Sequence, residues 1–213
     1  MTKILVVDDH ELIRCGISRL LDDSPGMTVV GQVASGEEAV AFVKQHPVDV
    51  VLMDIHMPGI GGLEATRKIL RYDQGIRIIA ITANEENPYA SRLMQAGACG
   101  YITKGAGATE MEMAIRKVCS GQKYISNELA QQLALKPFQP DQASPFDELS
   151  ERELQIARLI VECHNAQTIA DMLFLSSKTV NSYRYRIFQK LDISGDVELT
   201  RLAMRHGMID VTQ

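Results

Sequence analysis

A chain of 213 residues is long enough for one large domain or two small ones, and 46% hydrophobic and 23% charged residues are typical of a globular protein. No apolar run approaches the about 20 residues of a membrane span, and the opening MTKILVVDDH does not resemble a signal peptide. The net charge of −5 argues against indiscriminate nucleic-acid binding, so any basic binding surface must be local. Four cysteines without metal-ligand spacing are expected to be free thiols in a reducing, cytoplasmic setting: Cys15, Cys99, Cys119 and Cys163.

Residues 1–121 alternate short apolar runs with amphipathic segments. The apolar runs predict five strands: Lys3–Val7, Thr28–Val33, Val48–Met53, Ile76–Ile81 and Gly100–Ile102. The amphipathic segments predict five helices near Glu11–Leu21, Glu37–His46, Gly62–Arg71, Tyr89–Ala96 and Ala108–Ser120. Strict alternation with short connections predicts a parallel sheet covered by helices on both faces.

The pattern changes after residue 121. Residues 122–146 carry a predicted short helix at Ser126–Leu135 and then three prolines without apolar periodicity, which is typical of a linker. From residue 147 the pattern is helical only, and it predicts Ser150–Glu162, Gln167–Leu173, Lys178–Leu191 and Asp196–His206. Ser150 and Glu153 have the spacing of a capping box. We therefore expect two domains, 1–121 and 147–213, joined by the linker 122–146.

Polar side chains follow four of the predicted strands. Asp8 and Asp9 close the first strand and Asp54 closes the third, while Thr82 and Lys104 follow the fourth and fifth. In an open parallel sheet ligands gather outside the carboxyl ends of the strands. Three carboxylates placed there repel one another unless a cation intervenes, and all-oxygen ligation selects Mg²⁺, with Mn²⁺ as the alternative ion. A single strand-terminal aspartate is usually a helix cap, but that explanation fits the joint set poorly.

The stretches VVDDH, VVLMDIHMPGIGGLEA, AITA and GYITKG resemble the receiver domain of bacterial two-component response regulators. The resemblance covers residues 3–120 and implies a flavodoxin-like fold, with a parallel five-stranded sheet in the order 2-1-3-4-5. It makes Asp54 the acceptor of a phosphoryl group from a sensor histidine kinase.

The same resemblance implies roles for the residues around Asp54. The implied Mg²⁺ ligands are Asp8 through water, Asp9, Asp54 and the backbone carbonyl of His56. Thr82 and Lys104 would bind phosphoryl oxygens, and Tyr101 would be an aromatic switch. The family usually has proline after the lysine, and this chain has Gly105, which puts a cis peptide there in doubt. We expect the imidazoles of His10 and His56 at the rim of the site, because no further nitrogen or thiolate ligand accompanies them.

Residues 178–190 contain four basic residues and no acid within an otherwise acidic region. Helical spacing predicts that an apolar stripe faces the core: Val180, Tyr183, Ile187 and Leu191. It places amides, hydroxyls and cations outward: Lys178, Asn181, Ser182, Tyr185, Arg186 and Gln189. Such a face suits the reading of base edges beside phosphates, although a solvated basic helix is the alternative.

The stretch from LSERELQIARLI to TIADMLFLSSKTVNSYRYRIFQKL resembles the LuxR-type helix-turn-helix domain of the NarL/FixJ response regulators, over residues 149–209. The resemblance implies a third helix in the major groove and a fourth that mediates dimer contacts. It implies base contacts by Asn181, Ser182 and Tyr185. It implies phosphate contacts by Lys178, Thr179, Arg184, Arg186 and Lys190. Phe174, Thr168 and Tyr183 depart from the family pattern, and the first of these leaves the turn geometry open.

The two resemblances together imply a transcription factor rather than an enzyme, in which the receiver catalyses only its own phosphorylation and dephosphorylation. The implied partners are a hybrid sensor histidine kinase, double-stranded DNA, a second copy of the chain and RNA polymerase. GYITKGAGATEM and QKYIS look closest to the GacA/UvrY/SirA group, which implies activation of small regulatory RNA genes. Two alternatives stay open: a Mg²⁺-dependent phosphohydrolase with Asp54 as nucleophile, and a DNA-binding regulator that does not depend on phosphorylation.

Overall fold

The computed structural model describes residues 1–82, 89–127, 130–131 and 144–206. These residues form two compact units, one up to residue 131 and one from residue 144 onward. The sequence-based boundaries at 121/122 and 146/147 stay predictions, because most of the stretch between them lies outside the described residues. Within those residues no helix is both long and apolar enough to cross a membrane.

A parallel sheet forms the centre of the first unit. Its strands are β1 (Thr2–Val7), β2 (Met27–Val33), β3 (Val50–Asp54), β4 (Arg77–Thr82), β5 (Gly100–Thr103) and β6 (Tyr124–Ile125). The order β2-β1-β3-β4-β5-β6 confirms the predicted 2-1-3-4-5 arrangement and adds a sixth strand at its edge. β6 was not predicted because two residues are too few to show a period.

Five helices cover the two faces of this sheet: α1 (Glu11–Asp22), α2 (Gly36–Gln45), α3 (Gly61–Tyr72), α4 (Tyr89–Gln95) and α5 (Ala108–Cys119). Apolar residues of α1 and α5 pack on one face, where Ile4, Leu52 and Ile81 belong to the same buried cluster. All five residues of β3 are buried, which explains its unbroken apolar run.

The second unit is helical throughout its described residues. A short 3-10 turn at Pro145–Glu148 precedes α6 (Glu151–Val161), α7 (Ala166–Met172), α8 (Ser177–Leu191) and α9 (Asp196–Arg205). The predicted capping box is confirmed, since Ser150 and Glu153 exchange side-chain and backbone hydrogen bonds at the start of α6. α8 packs against α6 and α7, and α7, the following turn and α8 form the predicted helix-turn-helix.

The predicted helix at Ser126–Leu135 is only partly within the described residues. Asn127 and residues 130–131 are helical, and the Ala130 N–H donates to the Ser126 carbonyl at 2.9 Å. The rest of that prediction lies outside the described residues.

Candidate functional site

The carboxylates predicted to converge do meet at the carboxyl ends of the central strands. β1 and β3 are paired in parallel with Val7 opposite Met53, so Asp8 and Asp54 leave neighbouring strands at the same level. Both are 1% exposed. Two carboxylates in so little water require compensating charge or hydrogen bonds.

Lys104 supplies that charge from the end of β5. Its Nζ lies 2.8 Å from Asp8 Oδ2 and 2.9 Å from Asp54 Oδ2. Its backbone N–H donates to the Thr82 carbonyl at 2.6 Å, which ties the start of the loop after β5 to the end of β4. Burial acts to lower the pKa of Lys104, but Asp54 and Asp8 outweigh burial and raise it above its usual value. The lysine is therefore a cation when the site is assembled.

Asp54 is the most constrained acid of the set. Burial raises its pKa above the usual carboxyl value, Lys104 and the His56 backbone N–H act to lower it, and Asp8 acts to raise it. The His56 N–H donates to Asp54 Oδ1 at 3.1 Å, while Oδ2 faces Lys104. Each oxygen of the carboxylate therefore has its own donor, which holds the group in one orientation.

The donor set fits a hard divalent cation. One ligand atom each from Asp8, Asp9, His10 and Asp54 lies within 4.8 Å of the others, counted over the described residues. His10 lies at the rim, as predicted, with its side chain 64% exposed. Its Nδ1 lies 2.9 Å from Asp9 Oδ1. Three carboxylates at this spacing are the oxygen ligands that Mg²⁺ or Mn²⁺ takes, and bound Mg²⁺ usually keeps several waters.

The two predicted switch residues lie inside the first unit. Thr82, the last residue of β4, and Tyr101, in β5, are both fully buried. Burial raises the pKa of Tyr101, and its interaction with the Thr82 side chain acts to lower it. The switch role of Tyr101 concerns the phosphorylated protein and stays a prediction; without a phosphoryl group both side chains are buried.

The turn after β3 explains the glycines of MPGIGG. Gly59 has φ +74°, a left-handed conformation that disfavours side chains, and α3 starts at Gly61, one residue before the predicted start at Gly62. A side chain at Gly62 would collide with the Asp54 carbonyl oxygen. Small residues therefore let α3 begin directly against the residue that carries the carboxylate.

Sequence reasoning missed Glu37. Its Oε1 accepts the Ile60 N–H at 2.9 Å, so a residue of α2 holds the segment that follows Asp54. The sequence predicted Glu37 only as the start of a helix, because its partner is 23 positions away along the chain.

Gly105 is not required by the backbone of its loop. A Cβ added there would meet only Thr103 Oγ1, at 3.9 Å, and no cis peptide occurs in the described part of the chain.

The helix α8 presents the predicted polar face. Lys178, Asn181, Ser182, Tyr185, Arg186 and Gln189 are all exposed on it. Val180, Ile187 and Leu191 are buried on the other side, and Tyr183 is half-buried. Thr179 is half-buried and its hydroxyl lies 2.8 Å from Ser176 Oγ at the start of the helix. The predicted inward and outward faces of the helix are confirmed.

Two predicted phosphate-binding residues have carboxylate partners within the second unit. Arg184 pairs with Asp196 at the start of α9, and its guanidinium lies 5.6 Å from the centre of the Phe188 ring. Lys190 Nζ lies 2.6 Å from Glu153 Oε2 and 3.3 Å from the Glu148 carbonyl oxygen. A phosphate contact by either residue would have to compete with these partners.

Comparisons with known proteins identify a family for each unit. The model of the response regulator receiver domain matches residues 4–116, and that of the luxR family of bacterial regulatory proteins matches residues 147–203. Response regulator GacA of Pseudomonas aeruginosa is 61% identical over 211 residues, 99% of each chain. Response regulator UvrY of Escherichia coli K12 is 55% identical over 209 residues, 98% of this chain and 96% of that protein.

A solved structure shares the fold over nearly the whole chain. RcsB from Salmonella enterica serovar Typhimurium, bound to promoter rprA in the presence of the phosphomimetic BeF3−, gives a TM-score of 0.68 over 95% of this chain and 98% of that chain. Its identity is 22%, so this likeness shows the fold alone. The two family models in one chain and the full-length relatives place this protein in the family of response regulators, DNA-binding transcription regulators that join a receiver domain to a LuxR-type domain.

Proposed function

We propose that the chain is a phosphorylation-switched, sequence-specific transcriptional regulator whose Asp54 accepts a phosphoryl group from a sensor histidine kinase. The observation that carries this proposal is the buried carboxylate of Asp54, held between Lys104 and the acidic pair that ends β1. Phosphoryl transfer depends on positioning and on neutralising the transferred oxygens, and this arrangement supplies both.

The residues of the chain have distinct roles in the transfer. A carboxylate oxygen of Asp54 attacks the phosphorus of a phosphohistidine, the phosphorus–nitrogen bond breaks, and the leaving imidazole keeps the electron pair and takes up a proton. The Lys104 ammonium can leave its present carboxylate partners to bind a phosphoryl oxygen, and the Thr82 hydroxyl can donate to another. The raised pKa of Lys104 keeps it charged for this step.

Asp8, Asp9, Asp54 and the His56 backbone carbonyl would hold Mg²⁺, or Mn²⁺, with Asp8 acting through water. The ion when bound offsets negative charge on the phosphoryl oxygens. The convergence of three carboxylates on one point supports this assignment.

The switch would act through Thr82 and Tyr101. A phosphoryl group that holds the Thr82 hydroxyl stabilises one arrangement of the end of β4, and the buried Tyr101 ring packs beside it. Phosphorylation would then shift a population between two arrangements rather than create a new one.

The DNA-binding part of the proposal rests on the exposed face of α8. Asn181, Ser182 and Tyr185 would contact bases, and Lys178, Thr179 and Arg186 would contact phosphates, with Arg184 and Lys190 joining only if they exchange their present partners. The RcsB structure bound to a promoter supports docking of this fold on DNA. The proposal includes what the resemblance to the GacA and UvrY group implies: a hybrid kinase, action as a homodimer in the cytoplasm, contact with RNA polymerase, and small regulatory RNA genes as targets.

Treatment of the full chain with Mg²⁺ and acetyl phosphate tests the proposal. We expect one phosphate per chain, labile in acid and in base, on the peptide that contains Asp54, and none on an Asp54→Ala variant. Labelling that survives in the Asp54→Ala variant would contradict the assignment. Sustained hydrolysis of small phosphate esters by the wild type would instead support the phosphohydrolase alternative.

A further inference from the structure

The segment that follows Asp54 is held at its far end by a glutamate from another helix. The Ile60 N–H donates to Glu37 Oε1 at 2.9 Å, and Glu37 lies in the first turn of α2. We infer that Glu37 is a positioning residue for the phosphoacceptor site, which holds residues 55–60 so that the His56 backbone carbonyl faces the carboxylates. This inference rests on the proposed function, because it deepens the role of the cation site.

The near end of the same segment is tied to Asp54 itself. The His56 N–H donates to Asp54 Oδ1 at 3.1 Å, and the Gly62 N–H donates to the Ile55 carbonyl at 3.2 Å. Residues 55–60 are therefore a short loop held at both ends, with the His56 carbonyl between the attachment at its own N–H and the attachment at Ile60. We expect that release of the end at Ile60 would let the His56 carbonyl move.

Two glycines make the approach of Glu37 feasible. Gly59 has φ +74°, and a Cβ there would lie 2.5 Å from Glu37 Oε1. At the start of α2, a Cβ on Gly36 would lie 2.9 Å from Ile60 Cγ1. A side chain at either glycine would push α2 and the loop apart, so both partners of the contact depend on small residues.

The neighbouring Glu38 provides a matched control. It is also exposed, carries the same charge and lies in the same turn, but its side chain accepts the Ala34 N–H at 3.0 Å. Its own N–H donates to Ser35 Oγ, which caps α2. Glu38 therefore serves the helix start, and Glu37 is left to serve the loop.

Calorimetric titration of the full chain with Mg²⁺, repeated with Mn²⁺ by electron paramagnetic resonance, tests the inference. We expect Glu37→Ala to weaken Mg²⁺ binding about 10-fold, as is usual when a residue that orients a metal ligand is removed. Saturating Mg²⁺ should restore the rate of labelling by acetyl phosphate. Glu37→Gln should bind Mg²⁺ as the wild type does, because its amide oxygen can still accept from Ile60.

The controls separate positioning from loss of charge or of fold. Glu38→Ala should lower the melting temperature and leave Mg²⁺ affinity unchanged, and Gly59→Ala should reproduce the weakening seen with Glu37→Ala. Wild-type Mg²⁺ affinity in Glu37→Ala, or equal weakening in Glu38→Ala, would overturn the inference. A wild type that neither binds Mg²⁺ nor accepts phosphate would overturn the proposed function instead.

Discussion

The residues that end the helices differ between the two units. Left-handed residues follow α4 and α5 in the first unit, and both are glycines, Gly97 at φ +105° and Gly121 at φ +84°. In the second unit the corresponding residues after α6, α7 and α8 are Cys163, Phe174 and Asp192, with φ between +51° and +65°. A side chain in this conformation costs free energy, most for a bulky residue and least for aspartate or asparagine. Phe174, which departs from the family pattern, therefore occupies a left-handed conformation that favours glycine.

We predict that Phe174→Gly stabilises the second unit by about 0.5–1 kcal/mol. The variant removes the free-energy cost of a left-handed phenylalanine, and part of this gain is offset because glycine gives the unfolded chain more conformational entropy. The Phe174 side chain is 82% exposed, so little packing is lost. The hydrogen bond from the Leu175 N–H to the Ala170 carbonyl, at 2.8 Å, can persist in the variant. Hydrogen exchange of α7 and α8 amides in the full chain measures the change. Phe174→Ala is the control and should be near neutral, since it removes the ring and keeps the strained φ. A glycine variant no more stable than the alanine variant would contradict this explanation.

At the scale of the element, α8 has three chemically different sides. One side is exposed and polar, one packs into the core, and the flanks hold Arg184 and Lys190, which pair with Asp196 and Glu153. These pairs tie α8 to the start of α9 and to the start of α6. These two cations are engaged within the second unit, whereas Lys178 and Arg186 lie on the exposed side that we propose contacts DNA.

We predict that Lys178→Ala and Arg186→Ala each reduce the salt dependence of DNA binding by about one unit in the slope of log K against log salt, because each removes one phosphate contact. Arg184→Ala and Lys190→Ala should leave that slope unchanged. Fluorescence anisotropy of a labelled duplex across salt concentrations gives the slopes. A loss of one unit in the Arg184 or Lys190 variant would show that these side chains do exchange their carboxylate partners for phosphates.

The contact between α6 and α8 predicts a pH dependence. Burial acts to raise the pKa of Glu153, but hydrogen bonds from Lys190 and Ser150 outweigh it and lower the pKa below the usual 4.5. A lowered pKa in the folded state means that the stabilisation is present above pH 4.5 and is lost as the pH falls through the lowered value. Glu153→Gln should therefore cost about 1–2 kcal/mol at pH 7 and progressively less in acid.

Hydrogen exchange of α6 amides from pH 7 downward measures this cost, as far as the fold persists. Glu162→Gln on the same helix removes the more exposed pair with Arg158 and should cost about 0.3–0.5 kcal/mol. If the two variants lost the same free energy of unfolding at pH 7, the Glu153 contact would stabilise the fold no more than the exposed pair does.

At the scale of the whole molecule, the chain leaves the sheet of the first unit through β6, which pairs with β5, the strand that carries the proposed switch residue Tyr101. The Tyr124 N–H donates to the Cys99 carbonyl at 3.0 Å, and the Ser126 N–H donates to the Tyr101 carbonyl at 3.2 Å. Glu110 of α5 accepts from the Tyr124 hydroxyl at 3.0 Å. The first residues of the predicted linker are therefore hydrogen-bonded to β5 and to the residue before it. A shift of Tyr101 would displace the backbone where the linker begins.

We predict that a phosphodonor with Mg²⁺ strengthens DNA protection by the wild type about 10-fold, a usual size for coupling between two sites. Asp54→Ala should show the weaker protection under both conditions, because it cannot hold the phosphoryl group. Footprinting on a fragment that the protein selects from a random library measures the effect. Equal protection in all four experiments would favour a regulator that does not depend on phosphorylation.

The sequence by itself determined the order of the five longer strands and of the helices, and the meeting of the strand-end aspartates. Local signals suffice for these: the apolar run of β3 predicts a buried strand, and the aspartates at the ends of β1 and β3 must meet because parallel strands end at one edge. The spacing of Val180, Ile187 and Leu191 likewise predicts which side of α8 is exposed.

Only the tertiary structure decided which side chains pair. Glu37 reaches Ile60 across 23 residues, Lys190 reaches Glu153 across 37, and the pairing of Tyr124 with Gly100 makes a strand from two residues of a predicted linker. No periodicity encodes such contacts, because they depend on where separate elements come to lie in space. The same reason explains why Arg184 could be recognised as a cation from the sequence, while its partner Asp196 could not.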